Sequence, residues 1–140
     1  MAIRTWQAIR SRPAYAYQSL ALAGCHAHRL AARPVAVIAD ARRETWHLQS
    51  IAADGSAAPL RRVAAGELPA GQLLTPENFR AWAPLPASVA TCSYDLAKIF
   101  PAIPEVELFR ATEAPDAFQH EAPDYKKWSA QVHSAANATK

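Results

Sequence analysis

Long apolar runs are missing from this sequence. No stretch approaches the roughly 18 residues that a membrane-spanning helix requires, so the chain is expected not to cross a bilayer. Cysteine is nearly absent: Cys25 and Cys92 are too few for a disulfide framework in 140 residues, which points to reduced thiols and a cytoplasmic protein. No glycine-rich phosphate loop is present. Basic charge never runs beyond two consecutive residues, which disfavours a nucleic-acid-binding tail or stripe.

What is present is an ordinary apolar fraction, 51%, much of it alanine, so the core must be built from a short list of larger side chains. The length fits a single domain. Net charge is +3, but it is unevenly placed. Residues 1–62 carry nine arginines against Asp40, Glu44 and Asp54, whereas residues 63–140 carry six bases against nine acids. Halves of opposite sign suit packing on each other better than they suit a polyanion. The predominance of arginine over lysine, with many alanines and eleven prolines, suggests a GC-rich bacterial coding sequence.

The pattern divides into an N-terminal helical segment (1–34), an α+β core (35–111) and an extended arm with a short terminal helix (112–140). Residues 2–12 have helical spacing up to Pro13, and a second helix is predicted over 14–32, closed by Pro34. Val35 to Ala39, Thr45 to Ile51 and Leu60 to Val63 read as a three-stranded antiparallel meander, with Asp54-Gly55 as a hairpin turn. That register puts Ile38, Trp46 and Val63 in one row and Val37, His47 and Arg62 in the next, with Trp46 as core anchor beneath a helix. Thr75-Pro76-Glu77 reads as a helix start, with Phe79 and Trp82 facing inward. Ser88 to Tyr94 and Val106 to Phe109 complete a five-stranded mixed sheet, and Asp95 caps a short helix ending before Pro101. A last helix, 124–135, would dock through Tyr125, Trp128 and Val132.

Strand, strand, strand, helix, strand, helix, strand, with a hairpin after Val-Ala-Val-Ile-Ala-Asp and a Val89-Ala90-Thr91 strand, resembles the ribonuclease H-like fold and its actin-like halves. Over 35–110 the spacing is similar to the N-terminal subdomain of actin-like platform proteins in type IV pilus and type II secretion machines. The resemblance implies a sheet of that order. It does not bring a nucleotide site, since the turn Asp40-Ala41-Arg42-Arg43 has no glycine to admit phosphate.

Ribonuclease H-like nucleases hold two Mg²⁺ ions on carboxylates near the first strand, first helix and fourth strand, and Asp40, Glu77 and Asp95 occupy roughly those stations. Each also has a local explanation, as turn residue, first-turn acid and helix cap. Cys25, His26, His28, His47 and Cys92 do not make a zinc set: on a helix only Cys25 and His28 share a face, and no metal is expected. A Cys92 nucleophile paired with His47 is a weaker idea still, because a strand cysteine is usually inert packing. Leu22-Ala23-Gly24-Cys25 matches a lipoprotein cleavage pattern after Arg4, Arg10 and Arg12, but the preceding residues are too polar; a lipid anchor at Cys25 is the alternative to a buried thiol.

Arg42-Arg43 at one hairpin tip and Arg61-Arg62 on the returning strand are candidates for a basic binding patch, and Trp6 is a further contact candidate. The expected function is a non-catalytic protein-interaction or scaffold domain of a bacterial assembly, without cofactor, whose partner is another protein. The alternatives are a metal-dependent nuclease or other phosphate-handling enzyme, and a nucleic-acid binder.

Overall fold

Val35-Ala36-Val37-Ile38-Ala39, bounded by Pro34 and Asp40, has the β-branched content of a buried strand and lies at the centre of the sheet. The computed structural model describes residues 8–103 and 108–113. In chain order the elements are β1 (Ala14–Ala16), α1 (Ser19–Ala31), β2 (Val35–Asp40), β3 (Thr45–Ile51), β4 (Arg61–Ala64), β5 (Leu73–Pro76), β6 (Val89–Cys92), α2 (Leu96–Ala102) and β7 (Arg110–Thr112). A 3₁₀ turn, Ala65–Glu67, follows β4.

The expected α+β class and five-stranded mixed sheet are present. The order is β4-β3-β2-β5-β6: the meander β2-β3-β4 is antiparallel, and β5 and β6 extend it in parallel from β2. Trp46 faces Val63 and His47 faces Arg62, as the pattern predicts. Ile38 faces Leu48 instead of Trp46. The β2–β3 turn closes differently from that expected, with the Ala41 N–H donating to the Thr45 carbonyl. A shift of two residues leaves every side chain on its expected face.

Three expected elements are corrected. Thr75-Pro76-Glu77 does not open a helix: Thr75 and Pro76 end β5, paired with Thr91 and Cys92 of β6, and the Glu77 N–H donates to the Cys92 carbonyl. Asn78 then takes φ 67°, outside the right-handed helical region. Pairing across the parallel sheet outweighed a local capping signal. The fifth strand is therefore β5. Of the strand expected at 106–109, Leu108 and Phe109 lie just before β7, which pairs with β1 in a separate two-stranded sheet, and 106–107 are outside the described residues. The second helix begins at Ser19, because Ala14–Ala16 is extended against β7, and Tyr17 packs edge-on against Phe100 and Phe109. Of the helix expected at 2–12, Ala8 and Ile9 are helical and residues 2–7 lie outside the description, as do the terminal helix at 124–135, Trp6 and Trp128.

One face of the sheet carries Val35, Val37 and Ile51 against Leu20, Leu22, Ala23 and Cys25 of α1 and Ile99 of α2. Gly24 sets how closely α1 approaches: a Cβ there would lie 2.7 Å from Ile51 Cγ1 and 3.3 Å from Val37 Cγ2. Asp95 caps α2 by accepting the Ala97 N–H, and the helix runs two residues further than expected, through Pro101 to Ala102. Arg29 of α1 donates to the Ala102 carbonyl at 2.6 Å, a cation at the negative pole of α2.

The opposite face buries Ile38, Trp46, Leu48, Val63 and Leu73. Trp46 is 2% exposed, the expected anchor. Its cover is Leu68 and Ala83 from irregular chain, not the helix expected above it. The N-terminal segment is tied to the core in two ways, through α1 as a layer and through the β1–β7 pair. Among the described residues no helix is long and apolar enough to cross a membrane.

Candidate functional site: the Asp40–Trp82 groove

At the β2–β3 turn, Arg42, Arg43 and Glu44 have φ of 65°, 52° and 60°, three successive non-glycine residues in the left-handed region. Each costs about 1–2 kcal/mol relative to right-handed backbone, so the turn has to be held from outside. Asp40 Oδ1 accepts the Arg42 N–H at 2.5 Å, and Thr45 donates to the Arg42 carbonyl through both its hydroxyl and its backbone N–H. Arg62 completes the brace from β4, donating from Nε to Thr45 Oγ1 at 2.8 Å and from Nη2 to the Ala41 carbonyl at 3.0 Å.

The second oxygen of Asp40 reaches across the sheet. Oδ2 accepts the N–H of Trp82 at 2.6 Å and of Ala83 at 2.9 Å, which pins the segment after β5 against the turn. Desolvation pulls the Asp40 carboxyl upward, but the N–H groups of Ala83, Arg42 and Trp82 and the Arg42 charge together outweigh it, and the carboxyl is held below its ordinary range.

Between turn and pinned segment lies an open groove of about 520 Å³ lined by Asp40, Arg42, Arg43, Glu44, Trp82 and Ala83. Trp82 was expected to face inward. It is 59% exposed, because without a helix over 75–83 nothing turns it toward the core, and Asp40 fixes its backbone at the rim. The Arg80 guanidinium carbon lies 3.7 Å from the Trp82 ring centroid and that of Arg42 5.4 Å, so two cations share one indole.

The candidate residues separate accordingly. Arg42 and Arg43 lie in the groove. Arg61 and Arg62 are neighbours on β4 and so point to opposite faces: Arg62 braces the turn and Arg61 is exposed. The four do not make one patch; Arg80 and Trp82 join the turn arginines instead, a pairing whose sequence trace is the short run Arg80-Ala81-Trp82-Ala83-Pro84.

Of the three carboxylates, Asp40 is taken up by backbone N–H groups, Glu77 Oε1 accepts the Tyr94 N–H at 3.1 Å, and Asp95 caps α2 and pairs with Lys98 at 3.3 Å. Among the described residues no group of three His, Cys, Asp or Glu is placed to hold a metal ion. Cys25 faces the Gly55 carbonyl and the His28 Nδ1–H donates to the Arg33 carbonyl, so the two serve separate contacts. Burial pushes both thiols up, with Arg29 partly opposing at Cys25, the reverse of an activated nucleophile. His47 on β3 and Cys92 on β6 stand three strand spacings of about 4.8 Å apart and make no dyad. Leu22, Ala23 and Cys25 are built into the packed face of α1, so cleavage before Cys25 would remove half the helix that covers Val37.

Comparison with protein-family models, curated proteins and solved structures finds no match for this chain.

Proposed function

We propose that this chain is a non-catalytic protein-interaction domain, a scaffold piece of a bacterial assembly of the pilus or secretion-platform kind, and that the Trp82 groove is its docking surface. The observation that carries this reading is an exposed tryptophan whose backbone is fixed by Asp40 and whose ring is flanked by two guanidinium groups. Tryptophan and arginine dominate interface energies where they are held ready, because little freedom is then lost on binding. Two guanidinium groups beside one indole select a partner with carboxylates. The strand order, a meander extended in parallel from its first strand, is shared with ribonuclease H-like halves, but no α-helix separates β4, β5 and β6, so the assembly context rests on the expected resemblance and the groove carries the reading. A cytoplasmic location, with Cys25 and Cys92 both as free thiols, belongs to the same reading.

The test places a photo-crosslinking residue at position 82 in the full chain expressed in bacteria, with Leu30, exposed on α1, as control. The reading expects a discrete protein adduct at 82, absent at 30 and lost when Arg42→Glu and Arg80→Glu are combined. No adduct, or equal adducts at both positions, overturns it.

A further inference from the structure

We infer that β6, an edge strand of the five-stranded sheet, pairs antiparallel with β6 of a second copy of this chain, about a two-fold axis at Thr91.

The ladder to β5 determines which backbone groups β6 has left over. Leu73 donates its N–H to the Ser88 carbonyl and Glu77 to the Cys92 carbonyl, and with the register from Leu73↔Val89 to Pro76↔Cys92 this turns the N–H and C=O groups of Ala90 and Cys92 toward β5. Those of Val89 and Thr91, and the Ser93 N–H that follows, point away from the sheet. The Val89 N–H turns back to the Pro86 carbonyl at 3.0 Å. The Thr91 N–H and carbonyl, the Val89 carbonyl and the Ser93 N–H meet no partner among the described residues, and the Thr91 side chain is exposed.

The two edges of the sheet are finished differently. On β4 the pairing with β3 leaves Ala64 facing outward, where Glu67 Oε2 takes its N–H at 2.8 Å, and Arg61 and Arg62 put charge along the strand. A side chain in place of a strand acceptor, together with charge, closes a sheet edge to neighbours. The β6 edge has neither. From Trp82 to Tyr94 the chain carries no charged side chain, and the register of Val89 to Cys92 runs without proline or bulge.

The unused groups of one β6 match those of another. With Thr91 on the axis, each Thr91 N–H meets the other copy's Thr91 carbonyl, and each Ser93 N–H meets the Val89 carbonyl opposite, so all four outward groups of each copy are satisfied. The remaining bonds of a full ladder are absent, because the Val89 N–H is held by Pro86. The side chains brought together are small, Ala90 opposite Cys92 and Val89 opposite Ser93, and no like charges meet. Such a pair is closed: both β6 strands are used, and only the guarded β4 edges remain.

Sedimentation of the full chain over a range of concentrations, combined with amide exchange, tests this. The expected result is a monomer–dimer equilibrium in which the Thr91 N–H gains protection on dimerisation, while the Ala90 and Cys92 N–H groups, bonded to β5, are protected at every concentration. Thr91→Lys, which sets two ammonium groups against each other at an exposed position, and Thr91→Pro, which removes only an N–H directed away from β5, should each abolish the dimer. Leu30→Lys, a charge added on the exposed side of α1, should leave it intact. A chain that stays monomeric at every concentration overturns the inference. A dimer that survives both substitutions at 91, or is lost equally on Leu30→Lys, places the contact elsewhere and overturns it too. So does a Thr91 N–H protected in the monomer, which gives the edge to the chain's own residues.

Discussion

The carboxylate of Asp40, at the end of the central strand, accepts the backbone N–H of Trp82, 42 residues further along the chain, at 2.6 Å. With the Ala83 and Arg42 N–H bonds it joins a strained turn to the segment that covers the sheet face opposite α1. Asp40→Asn should therefore loosen both at once, at a cost of about 1.5–3 kcal/mol, the range for hydrogen bonds to a charged acceptor. The loss is read as a lower denaturant midpoint.

The same carboxylate gives a signed pH dependence. Its folded-state value is depressed, so its stabilisation is complete above the ordinary aspartate value of 3.8 and is lost as pH falls through the folded value. Asp54 is lowered as well, by the Ser56 hydroxyl and N–H, and adds to the slope of the unaltered protein. Denaturation from pH 6 to 3 should show a flatter acid limb in Asp40→Asn, with the Asp54 portion retained. An unchanged limb would mean that the three N–H bonds do not hold the charge.

Two tryptophans should respond oppositely. Trp46→Ala removes the buried anchor of the sheet face opposite α1 and should cost about 3–5 kcal/mol. Trp82→Ala removes an exposed ring and should change stability by less than about 1 kcal/mol while abolishing docking. Thermal unfolding and the crosslinking assay read the two effects separately.

Gly24→Ala places a methyl carbon 2.7 Å from Ile51 Cγ1, inside a sheet–helix contact where Ile51 is buried. Overpacking of about 1–3 kcal/mol opposes a helix-propensity gain of about 1 kcal/mol, so the expected outcome is net destabilisation. In an Ile51→Ala background, which removes both Cγ1 and Cδ1 opposite the added methyl, Gly24→Ala should cost less than it does in the unaltered chain.

Adjacent arginines should differ as well. Arg62→Ala removes two hydrogen bonds to the β2–β3 turn and should cost about 1–2 kcal/mol, whereas Arg61→Ala, on an exposed position, should stay within about 0.5 kcal/mol. Equal midpoints for the two variants would show that the turn does not need its brace.

The residues of 35–63 determined the meander by themselves. Alternation, the Asp54-Gly55 turn and a β-branched run all act over a few residues, and they put Trp46 on a buried face and Arg62 opposite His47. Local chemistry also gave the Asp95 cap. Tertiary structure decided the rest. Thr75-Pro76-Glu77 carries a genuine capping pattern, yet those residues pair with Thr91 and Cys92, and a ladder to a distant strand has no local signature. Once that helix is absent, Trp82 turns outward, and Arg80 and Arg42 meet on its ring although they are far apart in sequence. The groove exists because one side chain, Asp40, accepts N–H groups from both sides of it, and such a long-range bond is set by how the chain packs rather than by any pattern along it.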